Sequence, residues 1–275
     1  MTSEGKIQGS LAVVGAGKMA TTLLRALFDA GRLDAASVRA TTRHADTGRE
    51  VAKRLQVAVV TSNPEAVQDA DLVLLAVKPQ ALGDVLDELR PHLQPRQLVV
   101  SIVASATLAF IERHLQPGVP VVRAMPNTPS LVGAGMTVLS AGTHASEEHV
   151  ARARALFEAV GRVITLDEKH MDAVTALSAS GPAFVYVVLE SLAEGGVKVG
   201  LPRNIATELA AQTALGAAQM VLKTGEHPAL LKDAVTTPAG CTIDGLLQLE
   251  EGGLRVTLIK AVVEATRRAG ELIAG

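Results

Sequence analysis

Apolar positions follow two different periods along this chain, and the change from one to the other divides it. As far as residue 166, short apolar runs alternate with amphipathic stretches. The runs at 10–15, 38–42, 57–61, 71–77, 97–103, 119–124, 136–140 and 162–166 predict strands. Helical spacing fills most of the gaps, at 18–30, 46–55, 80–90, 108–114 and 146–160. Strands that are apolar on both faces and alternate with helices predict a largely parallel sheet, covered on both sides. From Glu168 onward the strand pattern stops. The stretches 172–178, 183–199, 203–222, 241–249 and 254–273 read as helices, punctuated by Pro182, Pro202, Pro228 and Pro238. The predicted organisation is an α/β domain at 1–167 and an all-α domain at 168–275, with no Pro- or Ser-rich linker between them.

The second half adds a point about assembly. Residues 184–189 are apolar throughout, and 206–220 is rich in Ala and Gly. A helix that is apolar all round must be buried. Roughly 105 residues make a small domain for so many such helices. Self-association into a homodimer would supply the missing cover; a tightly packed compact helical domain is the alternative.

Composition narrows the function classes. Of the 275 residues 48% are hydrophobic, enough for a sizeable core. Aromatics are 2% and the net charge is −2, which argues against nucleic-acid recognition by stacking or by a basic surface. A single cysteine, Cys241, cannot form an internal disulfide and fits a reducing compartment. The N-terminus carries Glu4 and lacks an apolar signal region, and no apolar run approaches the ~20 residues of a membrane span. A cytoplasmic protein without membrane attachment is expected.

The chemistry begins after the first predicted strand, with Gly15-Ala16-Gly17-Lys18-Met19-Ala20. This is the G-x-G-x-x-A form of the dinucleotide fingerprint. Its first glycine makes the tight turn, its second admits the pyrophosphate, and Ala20 lets helix pack on strand. The N-terminal domain is therefore predicted to be of the Rossmann type. At the end of the second strand, Thr41-Thr42-Arg43 stand where an NAD-selective site carries an acidic residue. A guanidinium suits a 2′-phosphate by charge and fork geometry, so NADPH is favoured over NADH.

A second motif lies at 231–255. Thr236-Thr237-Pro238-Ala239 read as a turn opening a helix, with Gly240, Cys241 and Thr242 in or near the first turn. Small residues there leave backbone N–H groups open to a carboxylate, and the helix dipole favours negative charge.

This second segment resembles the C-terminal motif of the pyrroline-5-carboxylate reductases, through Leu231-Lys232-Asp233, Val235, Pro238, Gly240, Thr242-Ile243 and Gly253-Leu254-Arg255. Further blocks resemble the same family: Arg123-Ala124-Met125-Pro126-Asn127-Thr128-Pro129, Ser178-Ala179-Ser180-Gly181-Pro182-Ala183-Phe184, and Gly195–Arg203. The resemblance implies reduction of 1-pyrroline-5-carboxylate to L-proline, the last step of proline biosynthesis. It implies that Ala76-Val77-Lys78-Pro79 line the cofactor site, that Asn63 lies near the adenosine ribose and that Ala104 ends the strand flanking the nicotinamide. It places Thr242 nearest the imine nitrogen and Glu168 near the substrate, with Ser180, Val235 and Thr237 as further contacts. It also implies a C-terminal dimerisation domain whose helices interlock between two subunits, and leaves open a ring of dimers. The chain departs from the family at Ala179 and Ala234, and at Val103-Ala104-Ser105 where Ala-Ala-Gly is more usual.

The remaining chemistry is sparse in a way that fits. No nucleophile set and no Cys/His metal spacing is legible among seven histidines and one cysteine, so no metal is expected. An imine nitrogen can already carry its proton, so its reduction needs less acid catalysis than that of a carbonyl. A β-hydroxyacid dehydrogenase would carry Lys-x-x-Asn in its helical half, and neither Lys169 nor Lys198 begins one. A cofactor-binding protein without catalysis would be suggested by loss of Thr242 or of the glycine turn, and both are intact.

Overall fold

The computed structural model describes residues 6–271; Glu4 and residues 272–273, on which expectations above bear, lie outside the described residues. Contacts divide the described residues into two units, one of 6–179 with 265–271 and one of 180–264.

The first unit is built on a single sheet of eight strands. They are β1 (Leu11–Val14), β2 (Val38–Thr41), β3 (Ala58–Val60), β4 (Leu72–Leu75), β5 (Leu98–Ser101), β6 (Val121–Met125), β7 (Gly135–Ala141) and β8 (Gly161–Thr165). The order is β3-β2-β1-β4-β5-β6-β7-β8. Every pair is parallel except β6 with β7. Residues 126–134 connect those two strands, fewer than the dozen or more that a parallel crossover needs, so the chain turns back on itself.

Alternation along the strands sorts the core into two layers. Leu11 and Val13 face α1 (Lys18–Asp29), α2 (Ala45–Leu55) and the helix Glu147–Phe157, through Leu24, Val51 and Leu156. Ala12 and Val14 face the opposite layer, formed by α3 (Asn63–Val67), α4 (Leu82–Leu89) and α5 (Leu108–His114), through Val67, Leu86 and Ile111. Glu147–Phe157 is α6, capped by a reciprocal Ser146–His149 box. The helix α3 was not expected from periodicity. Five residues are too few to show a period, but Ser62 accepts the Glu65 N–H with Pro64 between them, a start signal that was in the sequence. At the opposite edge of the sheet from the glycine turn, Asp71 ties the starts of β4 and β1 together by accepting the Ser10 N–H at 2.8 Å. That bond holds its carboxyl below the usual range.

After β8 come α7 (Met171–Val174) and a five-residue π-turn, Thr175–Ala179, where a plain helix was expected. The second unit is helical throughout. It comprises α8 (Gly181–Lys198), α9 (Arg203–Thr224), α10 (Pro228–Ala234), α11 (Cys241–Glu251) and the start of α12 (Leu254–Glu271). α10, seven residues long, was likewise too short for its period to register. α8 and α9 pack through Ala193, Ala206 and Ala210, with a Cβ on Gly196 reaching within 3.0 Å of Ala206.

By length and composition alone the helical run Glu168–Lys198 is long and apolar enough to cross a membrane. It is interrupted by the π-turn and by Ser180, and Pro182 sits in the first turn of α8, where proline is tolerated.

Candidate active site

The strand order reverses at β1, so the carboxyl ends of β1 and β4 border the crevice where such sheets bind ligands. Gly15 follows β1 with φ +92, a conformation that favours glycine, and a Cβ there would come within 2.9 Å of Val77 and 3.1 Å of the Ala76 carbonyl. Gly17 is the cap of α1, and a Cβ on it would meet nothing within 4 Å. The N–H groups of Lys18, Met19 and Ala20 open the helix with no acidic side chain in its first turn. The space above Gly17 and those free donors fit a pyrophosphate. Ala20 is buried against the sheet, and Met19 lines a small internal void with Pro126 and Ser130.

The second-strand residues hold this turn rather than facing solvent. Thr41 Oγ1 accepts the Gly15 N–H at 3.1 Å and donates to Asn63 Oδ1 at 2.8 Å. Its carbonyl accepts the Ala16 N–H at 2.8 Å. Thr42 is buried and donates to the His44 carbonyl. Asn63, at the head of α3 rather than on the strand, donates to Glu88 Oε2 at 2.8 Å. Arg43 is exposed, with no ion-pair partner among the described residues. Thr41 is therefore a brace of the turn, Thr42 is tied to the loop at His44, and the Arg43 side chain is the group that stays available. Lys78 is exposed ahead of Pro79, after β4. Ala104 is exposed after β5, and Ser105 follows at φ +63. That left-handed backbone explains why a glycine suits the place of Ser105.

Glu168 takes a definite structural role. Its Oε1 accepts the Leu108 N–H at 2.6 Å and pairs with Arg123 Nη1 at 2.9 Å. Arg123 lies within β6 and is 1% exposed, with Nε and Nη2 unpartnered. The sequence predicts no role for Arg123; an arginine inside an apolar strand is the signal that could have found it.

In the helical unit, the Gly240 N–H donates to the Thr237 carbonyl at 3.0 Å, closing a turn led by Pro238 with Ala239 at φ +58. A Cβ on Gly240 would come within 2.5 Å of Thr237 Oγ1. Backbone in a sparsely populated conformation is a mark of functional turns. Gly240 caps α11 with no side-chain hydrogen bond to the helix, leaving the N–H groups of Cys241 and Thr242 open; Asp244 is the acidic group of that first turn. Cys241 is exposed and Thr242 half-buried. Val235 is exposed at the end of α10, and Ser180 precedes α8. Thus the cofactor residues gather on the sheet unit, whereas all expected substrate residues except Glu168 belong to the helical unit. Among the described residues no three His, Cys, Asp or Glu side chains converge as a metal site would require.

A glycine turn at a switch point, joined in one chain to a helical unit, defines a dinucleotide-dependent oxidoreductase. Comparison with known proteins refines the class. A family profile described as pyrroline-5-carboxylate reductase dimerisation matches residues 168–272, and one described as NADP oxidoreductase, coenzyme F420-dependent, matches 10–105. A pyrroline-5-carboxylate reductase of Glycine max is 43% identical over 96% of this chain and 96% of its own. A solved pyrroline-5-carboxylate reductase of Coxiella burnetii superposes with a TM-score of 0.90 at 36% identity, over 96% of this chain and 98% of that one. A Plasmodium falciparum pyrroline carboxylate reductase solved with NADP bound gives 0.87 at 29%, over 98% and 99%. This chain belongs to the pyrroline-5-carboxylate reductase family, NAD(P)-dependent oxidoreductases.

Proposed function

We propose that this protein reduces 1-pyrroline-5-carboxylate to L-proline with NADPH, the last step of proline biosynthesis. The carrying observation is the intact Thr237–Thr242 turn at the head of α11, in a chain of this family that keeps its glycine turn. Bound NADPH supplies the hydride. The turn Gly15–Ala20 holds the pyrophosphate, Arg43 holds the 2′-phosphate, and Lys78 adds positive charge at the same edge. Thr41 and Asn63 act one step removed, by fixing the glycine turn. The open N–H groups at Gly240–Thr242 hold the substrate carboxylate, and Thr242 Oγ1 hydrogen-bonds the ring nitrogen and fixes the face presented to hydride. Protein residues contribute binding and orientation, which can account for a large part of the rate. Ser180, Val235 and Thr237 border the substrate. Glu168 acts by holding Arg123 and the start of α5.

The functional boundary falls at 167/168, the protein self-associates as a homodimer that leaves open a ring of dimers, and it works in the cytoplasm without nucleic acid or membrane. The apolar run in Glu168–Lys198 lies within the segment matched by the dimerisation profile, which supports self-association rather than a membrane span as the use of that run.

The test is NADPH oxidation with 1-pyrroline-5-carboxylate, set against 3-hydroxy acids with NADP+. Thr242→Val keeps the shape and removes the hydroxyl. Turnover should fall steeply with NADPH affinity unchanged; unaffected turnover would remove Thr242 from the imine nitrogen.

A further inference from the structure

Asn127 follows β6 at the carboxyl edge of the sheet and is 9% exposed. The Met136 N–H, in β7, donates to its Oδ1 at 2.9 Å. That bond fixes which way the amide points, because Oδ1 must face the donor. Nδ2 then donates to the Ser178 carbonyl at 3.2 Å, with a longer approach of 3.4 Å to Ser178 Oγ. Ser178 lies in the π-turn Thr175–Ala179. A π-turn is wider than the helix it interrupts, is rare, and is frequently found at functional sites. Beneath it, Met125, Val138 and Met171 form a small apolar cluster with Val174 and Ala179 packed against it. Apolar packing would hold the segment near the sheet by itself. A buried amide adds something that packing does not, a fixed distance to one named carbonyl. The strand it follows adjoins β5, which ends at Ser101, with Ala104 shortly after it.

We propose that Asn127 is a positioning residue for the reaction. Its amide clamps the Ser178 carbonyl and so fixes the π-turn against the edge of the sheet that bears the cofactor. The clamp sets the main chain of the π-turn at the carboxyl edge beside β5, and through it the presentation of the hydride donor held on that edge. The proposal rests on the reductase reading above.

Asn127→Asp tests it with almost no change of shape. The Met136 N–H keeps its acceptor, while the donor facing Ser178 becomes a carboxylate oxygen opposed to a carbonyl oxygen. At about pH 8, kcat should fall on the order of 100-fold with NADPH affinity unchanged, the scale expected for a small misplacement. Amide hydrogen exchange should quicken at 175–180 and stay as in the wild type at 11–20. Burial and the facing carbonyl raise the carboxyl pKa, so acidification restores a donor. Relative to wild type at each pH, the variant's kcat should therefore recover roughly tenfold or more by about pH 5.5. Asn127→Ala should show the same local exchange with no recovery, and it serves if the Asp variant fails to fold. Wild-type kcat and exchange in Asn127→Asp at the higher pH would overturn the proposal. So would a loss of kcat without faster exchange or recovery on acidification. If the wild type does not oxidise NADPH with 1-pyrroline-5-carboxylate, the reductase reading falls, and the exchange comparison still decides the clamp.

Discussion

In the sheet unit Val13, Leu74 and Val100 are fully shielded, whereas in the helical unit of a single protomer Val187, Leu222 and Val263 face solvent, each about 60% exposed. Both sets are aliphatic and belong to regular elements, so propensity does not separate them. The difference is in what covers them. Each face of the sheet has its own helices. Among the described residues, α8 and α9 bury fully against one another only Ala193, Ala206 and Ala210, with Leu189 and Val197 partly covered beside them. Burying an aliphatic side chain is worth about 1.5–3 kcal/mol, so a face of this size is a strong drive to associate. The sheet unit is complete within one chain. The helical unit is completed by another copy, in keeping with the dimerisation profile matched at 168–272.

The sharpest way to break this contrast is a charge on the unshielded face. Leu215, on α9, is 51% exposed in the protomer, so Leu215→Glu should leave the sheet unit folded. It should split the assembly and remove most activity, although no substrate contact is touched. Light scattering and turnover measured on the same sample give the check; an intact, active assembly would move the interface off this face.

A smaller effect separates the ion pairs of the two units. Glu168→Ala strands the buried Arg123 guanidinium and should cost about 3–5 kcal/mol of stability by denaturant titration. Arg203 pairs with Glu194 at 2.6 Å in the helical unit, lowering the Glu194 pKa through a hydrogen bond from the guanidinium, yet both side chains are exposed. Glu194→Ala should leave stability nearly unchanged. Equal losses would mean that Arg123 finds another partner or reaches water.

The smallest of these effects is confined to the cofactor. Arg43→Ala should weaken NADPH on the order of 10- to 100-fold, NADH far less, and leave assembly untouched. Equal weakening of both cofactors would show that Arg43 does not read the 2′-phosphate.

The same contrast explains what the chain revealed before its structure was known. The central strands were legible because a strand buried on both faces is an unbroken apolar run, such as Leu72–Leu75; the edge strands β3 and β8 showed as shorter runs bounded by polar residues. The glycine turn was legible because a tight turn and a close phosphate approach leave few alternatives to glycine. The roles of Thr41 and Asn63 were not, since a hydroxyl that braces a loop and one that meets a ribose are the same residue in sequence. The ion pair of Glu168 with Arg123 was not legible, because the two are 45 positions apart and only folding brings them together. The π-turn and the Asn127 clamp were silent for the same reason: a buried amide is defined by the carbonyl it meets, here 51 residues on.

The most direct measurement of the central claim is sedimentation velocity of the wild-type protein at low micromolar concentration, with turnover assayed at the same dilution. The account predicts a dimer or a multiple of dimers, with activity lost as dilution releases protomers. A fully active monomer would contradict it, since the helical unit would then have to shield its own apolar faces.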